Sequence, residues 1–155
     1  MRARKSITAS DAKKKIEHYC AYQERCHKEV IKKLKELGLI NKAIDVIVAD
    51  LIQNNYLNET RFAQSFTRGK FNIKKWGKIK ILRELKKREI SEYNIKIGMK
   101  EILDSDYEIT FGKLFEKKTA ELSHLSINDQ KRKIFNFFLH KGWENEKIFD
   151  AFRKI

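Results

Sequence analysis

The sequence contains no proline, only six glycines and two cysteines among its 155 residues. Because proline and glycine break helices, their scarcity excludes collagen-like and proline-rich architectures and favours helices along the chain. Cys20 and Cys26 are too few for a disulfide framework, which predicts reduced thiols and a cytoplasmic protein. No apolar run reaches the roughly 18 residues of a membrane span, and no secretion signal opens the chain.

Positive charge and apolar residues are both abundant. Hydrophobic residues make up 41% of the chain and include ten phenylalanines, enough for a packed core. Lysine and arginine number 35 against 21 acids, a net charge of +14. Two stretches account for this surplus. Residues 68–88 hold ten basic residues against one acid, Glu84, and residues 2–15 hold six against one acid, Asp11. Such patches on a neutral body favour a polyanion or an acidic protein surface as partner, although a solvated helix face is the alternative.

A block of apolar positions recurs three times, at an offset of 51 residues and then of 53. Apolar residues within each copy are spaced by three and four, which predicts helices. Gly38 and Gly142 fall at the same repeat position, where the second helix of a unit ends. The matching apolar columns include Leu34/Leu85/Phe138, Leu39/Ile90/Trp143, Ile44/Ile95/Ile148 and Val48/Met99/Phe152.

These patterns predict an all-α fold of three tandem three-helix repeats, packed in an elongated, curved row. We expect a basic flexible tail at 1–9 and repeats at 10–57, 58–104 and 105–155. The predicted helices lie near 11–22, 27–37, 41–53, 59–71, 76–88, 92–103, 107–122, 129–141 and 145–155. The residues predicted to cap helix N-termini are Ser10, Asn41, Asn58, Ser91 and Asn128.

The helix near 76–88 carries the densest charge. Ile81, Leu82 and Leu85 form its inward stripe, so Trp76, Lys80, Arg83 and Lys87 fall together on the opposite side. An indole beside cations suits stacking on a base or on an arginine of a partner, with phosphate or carboxylate contacts alongside. The alternative is that Trp76 folds back over the start of its own helix.

No catalytic pattern is evident. The chain lacks a phosphate-binding loop, a GxSxG motif and a defensible Ser/His/Asp set. A metal site is not supported by the spacing of His18, Cys20, Cys26 and His27 if they lie on one continuous helix. A break between two helices would still allow a metal site. We therefore expect no enzyme activity, no metal and no cofactor.

Two central segments carry a family resemblance. Residues 56–63 read YLNETRFA, and residues 76–85 read WGKIKILREL, followed by Ile90 and Ser91. They resemble the centre of RecX regulatory proteins, whose architecture is also one of tandem three-helix repeats. The first repeat agrees more loosely, and Cys26, Asn58 and Glu89 depart from the family pattern. The positions of the first repeat that fit the pattern are Arg25, Glu29, Lys33, Leu34 and Gly38.

The resemblance implies a cytoplasmic bacterial regulator that binds the RecA recombinase and its filament on single-stranded DNA. Such a protein lies along the filament groove and inhibits ATP hydrolysis and strand exchange by occupancy, and we expect it to be monomeric. A DNA- or RNA-binding protein that acts without RecA is the alternative.

Nine residues are predicted to face RecA or DNA. Arg61 and Trp76 also match the family motif, whereas the others rest on charge and helical face. Arg61 has a structural alternative, pairing with an acid at a repeat junction. Phe62, Leu82 and Leu85 are assigned to the core. The predicted surface comprises Arg61, Arg68, Lys70, Lys74, Trp76, Lys78, Lys80, Arg83 and Lys87.

Overall fold

The computed structural model describes residues 7–155, and every regular element within that range is an α-helix. This confirms the all-α prediction and the number of helices predicted over the described part of the chain. The helices are α1 Ala9–Tyr22, α2 His27–Glu36, α3 Asn41–Gln53, α4 Glu59–Asn72, α5 Lys78–Lys87, α6 Glu92–Met99, α7 Asp104–Glu121, α8 Ile127–Lys141 and α9 Asn145–Arg153.

The predicted tail at 1–9 falls mostly on residues 1–6, which lie outside the described residues. Its last three residues already belong to the first helical group. Ile7 packs against the core, Thr8 caps α1, and Ala9 is the first residue of that helix. The ordered structure therefore begins before the point at which apolar periodicity becomes visible in the sequence.

Two of the predicted N-caps are confirmed and three are wrong. The side chains of Asn58 and Ser91 accept the N–H three residues on, at 2.9 and 3.2 Å. In contrast, Ser10 and Asn128 lie inside helices that start earlier, and Asn41 is itself the first residue of α3. The observed caps of α1 and α8 are Thr8 and Ser126. Exposed residues ahead of the first buried position extend these two helices, so each cap lies two residues further back, about half a turn.

The second helix of each group ends on a left-handed residue. Gly38 and Gly142 have φ of 89° and 88°, as predicted for helix-terminating glycines. Glu89 occupies the same repeat position with φ of 60°. The departure from the family's glycine thus leaves the turn intact, at a conformational cost of about 1–2 kcal/mol for a residue with a Cβ.

The closest helix pairs lie within three groups of consecutive helices, α1–α3, α4–α6 and α7–α9. The first group has a core of its own, which includes Ile16, Leu34 and Leu51. The second and third groups share a single core that runs from Phe62 to Ile148 and also takes in buried Cys26, the residue before α2. Within the shared core Phe62 and Leu85 are buried and Leu82 is partly buried, which confirms their assignment from sequence.

The three groups follow one another in chain order. Among residues 7–155, every hydrogen bond or ion pair that joins two groups has one partner in the second group or in the turns flanking it. The second group is therefore the centre of the row. Its α4–α5 turn and α5 contact the third group directly, and this contact determines the geometry of the candidate site.

Candidate functional site

The turn before α5 docks on the turn after α8 through backbone atoms. The Gly77 N–H donates to the Lys141 carbonyl at 2.8 Å, and the Ile79 N–H donates to the Gly142 carbonyl at 3.1 Å. A Cβ on Gly77 would stand 2.3 Å from the Gly142 oxygen, so only glycine permits this approach. The Trp143 indole N–H donates to the Lys75 carbonyl at 3.1 Å and holds the same turn from the other side.

Trp76 lies in this turn, half-buried beside two lysines. The ammonium nitrogens of Lys70 and Lys80 stand 4.9 and 4.5 Å from the centroid of its ring. Phe66 meets the ring edge-on at 6.2 Å between centroids. Trp76 therefore packs between α4 and α5 of its own group, which is wider than the predicted alternative of folding back over the start of α5 alone. Two ammonium groups already lie against its ring.

A lysine of the third group, Lys141, also reaches this point. Lys141 donates its ammonium to the Lys74 carbonyl at 2.9 Å, and Lys80 donates to the neighbouring His140 carbonyl at 3.4 Å. Burial, and then the charges of Lys80 and Lys74, lower the pKa of Lys141. We call the five residues that meet here the Trp76 cluster: Lys70, Lys74, Trp76, Lys80 and Lys141.

Lys141 was missed from the sequence. It lies outside both basic stretches, and the hydrogen bond that carries it to Lys74 spans 67 positions. The only available signal was its place immediately before Gly142, the residue at which the repeat pattern already predicted a helix end.

Arg83 and Lys87 extend the Trp76 cluster along α5. Both side chains are exposed, on the side of the helix away from buried Ile81 and Leu85. Together with the four lysines of the cluster they make six cations. None of the six pairs with a carboxylate within the described part of the chain. This unneutralised row is the strongest candidate contact surface.

Arg61 lies elsewhere, at the junction of the first and second groups. Its guanidinium forms an ion pair with Glu24 and donates to the Asn55 side chain at 3.2 Å and to the Asn55 carbonyl at 3.0 Å. This is the pairing with an acid at a repeat junction that the sequence left open. The geometry makes Arg61 a link between groups.

Arg68 and Lys78 are also separated from the Trp76 cluster by their partners. Arg68 pairs with Glu101 at 3.0 Å. Lys78 stands 3.6 Å from Asp104 and 4.5 Å from the ring centroid of Tyr107. The Lys78 N–H donates to the Tyr107 hydroxyl, which in turn donates to Glu144 at 2.7 Å. Lys78 thus ties the start of α5 to the third group.

The histidines and cysteines considered as metal ligands, at positions 18, 20, 26 and 27, do not form a metal site among the described residues. Over residues 7–155 no three histidine, cysteine or acidic side chains come together in a group able to hold a metal ion. Burial raises the pKa of Cys20 and of Cys26 to about 11, so both thiols stay protonated at neutral pH.

None of the described helices is both long enough and apolar enough to span a membrane.

The fold and the site together define a class: an all-helical protein of tandem three-helix groups that presents a row of unpaired cations. Comparison with known proteins identifies a family with this fold. Residues 58–99 match the family model described as RecX, second three-helix domain. The regulatory protein RecX of Pelodictyon phaeoclathratiforme is 30% identical over 127 residues, which cover 82% of this chain and 78% of that protein. The chain belongs to the RecX family of regulatory proteins.

Other relatives differ in length, and two solved structures share the fold. The regulatory protein RecX of a Geobacillus species is 27% identical over 92% of this chain, but the match spans only 54% of that relative. The crystal structure of RecX from Lactobacillus salivarius superposes with a TM-score of 0.79 at 26% identity, covering 94% of this chain and 95% of that one. A second crystal structure, of a regulatory protein RecX, has a TM-score of 0.77 at 19% identity, covering 95% of this chain and 74% of that one.

Proposed function

We propose that this protein binds the RecA recombinase filament on single-stranded DNA and inhibits RecA ATP hydrolysis and strand exchange. The observation that carries the proposal is the row of six unpaired cations formed by the Trp76 cluster, Arg83 and Lys87. The family name supplies the regulatory role, and the row supplies a surface for an acidic protein or a phosphate backbone.

Unpaired clustered cations are unfavourable until a partner arrives. Burial lowers the pKa of Lys141, and repulsion from Lys80 and Lys74 lowers it further. An incoming carboxylate or phosphate would relieve this repulsion. Binding energy is thus available at this surface without any conformational change.

We propose that the chain acts as three units divided near residues 57 and 104, with the middle unit bearing the contact. The described residues present no converging catalytic group, so the proposed mechanism is occupancy of the filament by the folded protein. Of the nine residues predicted to face RecA or DNA, we retain Lys70, Lys74, Trp76, Lys80, Arg83 and Lys87, and we add Lys141. Arg61, Arg68 and Lys78 act in this proposal by holding helices in place.

The test is a titration of RecA's DNA-dependent ATPase with the full chain, on preformed and on growing filaments. We expect inhibition at stoichiometric amounts. The triple variant K80E/R83E/K87E should lose inhibition while its helicity stays unchanged, because two of the three side chains are exposed and the third is half-exposed. Its melting temperature should fall only slightly, since Lys80 gives up one long hydrogen bond to the His140 carbonyl and a contact with the Trp76 ring. The matched control reverses three exposed lysines of the third group, K113E/K117E/K133E.

Three results would contradict the proposal. Absence of inhibition by the unmodified chain removes the RecA role. Equal loss of inhibition in both triple variants would mean that inhibition depends on the net charge of the protein and not on the row of cations. Tight, sequence-selective DNA binding without any effect on RecA would favour the alternative, a protein that acts on nucleic acid directly. That binding would weaken with salt at a log–log slope of about −0.9 per phosphate contacted on duplex DNA.

A further inference from the structure

The outer face of α1 is basic and aromatic. Lys14, His18 and Tyr22 follow one another at a spacing of four, which places them on one side of the helix. Ala12, Ile16 and Cys20 are buried on the other side. The chain therefore presents a second cationic surface, on the first group, remote in sequence from the Trp76 cluster.

The α1–α2 connection and α2 complete this surface. The guanidinium of Arg25 lies 3.7 Å above the centroid of the Tyr19 ring, and its Nε donates to the Tyr19 carbonyl at 3.0 Å. The Lys33 ammonium approaches the same ring at 5.8 Å. Burial raises the pKa of the Tyr19 phenol, so the ring stays neutral beneath the two cations.

These side chains surround a concavity of about 520 Å³, lined also by Lys14, Lys15, His18 and Tyr22. No aspartate or glutamate of the described residues lines it. Within residues 7–155, none of Lys14, Lys15, Arg25 and Lys33 pairs with a carboxylate. The four cations can therefore take an anionic ligand without breaking an ion pair, and Arg25 can keep its hydrogen bond to the Tyr19 carbonyl through Nε while its other N–H groups face the ligand.

Tyr22 makes the site more specific than a cationic patch. It is the last residue of α1, 79% exposed, and stands at the rim of the concavity. A large ring left in water beside four cations matches the chemistry of a nucleotide, with a base for the ring and a phosphate for the ammonium groups. An acidic peptide would use the charges and leave the ring without a function.

We infer that the concavity bordered by Tyr22 binds single-stranded nucleic acid. A base stacks on Tyr22, and the adjoining phosphates lie against Lys14, Lys15, Arg25 and Lys33. Trp76 cannot supply such stacking in the same way, because Lys70 and Lys80 already stand over its ring. This site adds to the proposed function and does not depend on it, since the strand is bound with no RecA present.

The experiment measures binding of a fluorescent dT20 strand to the full chain by anisotropy, without RecA. The Tyr22→Ala substitution should weaken binding by roughly fivefold or more, since one base–aromatic stack contributes about 1–3 kcal/mol. Tyr93→Ala is the matched control, because Tyr93 is 72% exposed on α6 and lies outside the concavity. The control should leave the affinity unchanged.

A second pair of variants tests the phosphate contacts. K14E/K33E should weaken dT20 binding much more than K117E/K133E, which removes the same charge from exposed positions of the third group. An rU20 strand offers the same phosphates and bases, so loss of its binding in Tyr22→Ala supports the site equally and identifies RNA as a ligand.

Several outcomes would overturn the inference. They are failure of the unmodified chain to bind either strand, equal affinity of Tyr22→Ala and Tyr93→Ala, and equal loss in the two lysine pairs. Another contrary result would be competition by heparin or a 20-bp duplex as strong as that by unlabelled dT20, together with an unchanged affinity in Tyr22→Ala. That result would mean that the surface binds any polyanion and does not stack bases. None of these results depends on the RecA ATPase titration, so the two proposals fail separately.

Discussion

The two junctions between helical groups are built from different chemistry. The first is mainly polar: Arg61 pairs with Glu24, Arg88 with Glu29 at 3.7 Å, and the His27 N–H donates to Glu59 at 3.3 Å. Cys26 is the one buried residue of the first group that joins the core of the other two among the described residues. Concavities of about 790 and 330 Å³ open beside it.

The second junction is a fused core. Trp143 is fully buried there, and its ring stacks on Tyr107 at 4.4 Å between centroids. Backbone hydrogen bonds from Gly77 and Ile79 lock the two groups together. The contrast shows that similar repeats need not be joined alike: the first junction can respond to salt, whereas α4–α9 should unfold as one body.

The largest expected effect comes from Trp143→Ala. Removing this buried ring should cost about 3–5 kcal/mol of unfolding free energy. Because the core is shared, hydrogen exchange should accelerate in α5 as well as in α8, while α2 and α3 keep their protection. The measurement is urea unfolding followed by circular dichroism, with amide exchange resolved by helix.

The control for this substitution is Phe149→Ala, which removes a ring that is 47% exposed. It should cost far less and should leave α5 protected. Loss of protection confined to the third group in Trp143→Ala would contradict a shared core.

A smaller effect is expected from Gly77→Ala. The added methyl group would meet the Gly142 carbonyl at 2.3 Å, which should force the turn apart at a cost of about 1–3 kcal/mol. Gly69→Ala is the matched control, because a Cβ there meets nothing within 4 Å and alanine favours the interior of α4. That variant should be more stable than the parent by up to about 1 kcal/mol.

Thermal unfolding of the two glycine variants checks this prediction. Equal melting temperatures would mean that the backbone docking of the second and third groups contributes nothing to stability. Gly77→Ala can also be assayed for RecA inhibition at a temperature where it is still folded. Loss of inhibition there would show that the docking of the two groups matters for function, since it places Lys80 beside Lys141.

The smallest effect belongs to the polar junction. A double-mutant cycle of Glu24→Gln and Arg61→Gln should give a coupling of about 1 kcal/mol, because the pair is only partly buried. High salt should shrink this coupling, whereas the cost of Gly77→Ala should not change. Coupling that is insensitive to salt would contradict the description of this junction as electrostatic.

Helix positions followed from the sequence because apolar spacing is a local signal. The stripes of α5 and α8 repeat at three and four residues, and Gly38 and Gly142 mark helix ends without help from tertiary contacts. The early starts of α1 and α8 were missed because Thr8 and Ser126 stand before the apolar pattern begins.

The site was less predictable because charge pairing is a tertiary property. Arg61, Arg68 and Lys78 look like their neighbours in sequence, yet acids from distant positions neutralise them. Lys141 was missed because it lies outside the basic stretches in sequence, and only folding brings it to Lys74. A count of charges along the chain locates a basic region but cannot separate free cations from paired ones.

The docking of Lys141 beside Lys74 has a consequence for the timing of activity. During synthesis, 67 further positions must be added after Lys74 before its partner exists. A nascent chain that has completed the second group, including the residues matched by the family model, still lacks one lysine of the cluster and the turn that docks on Gly77. The proposed contact surface is therefore complete only once α8 has been made and folded.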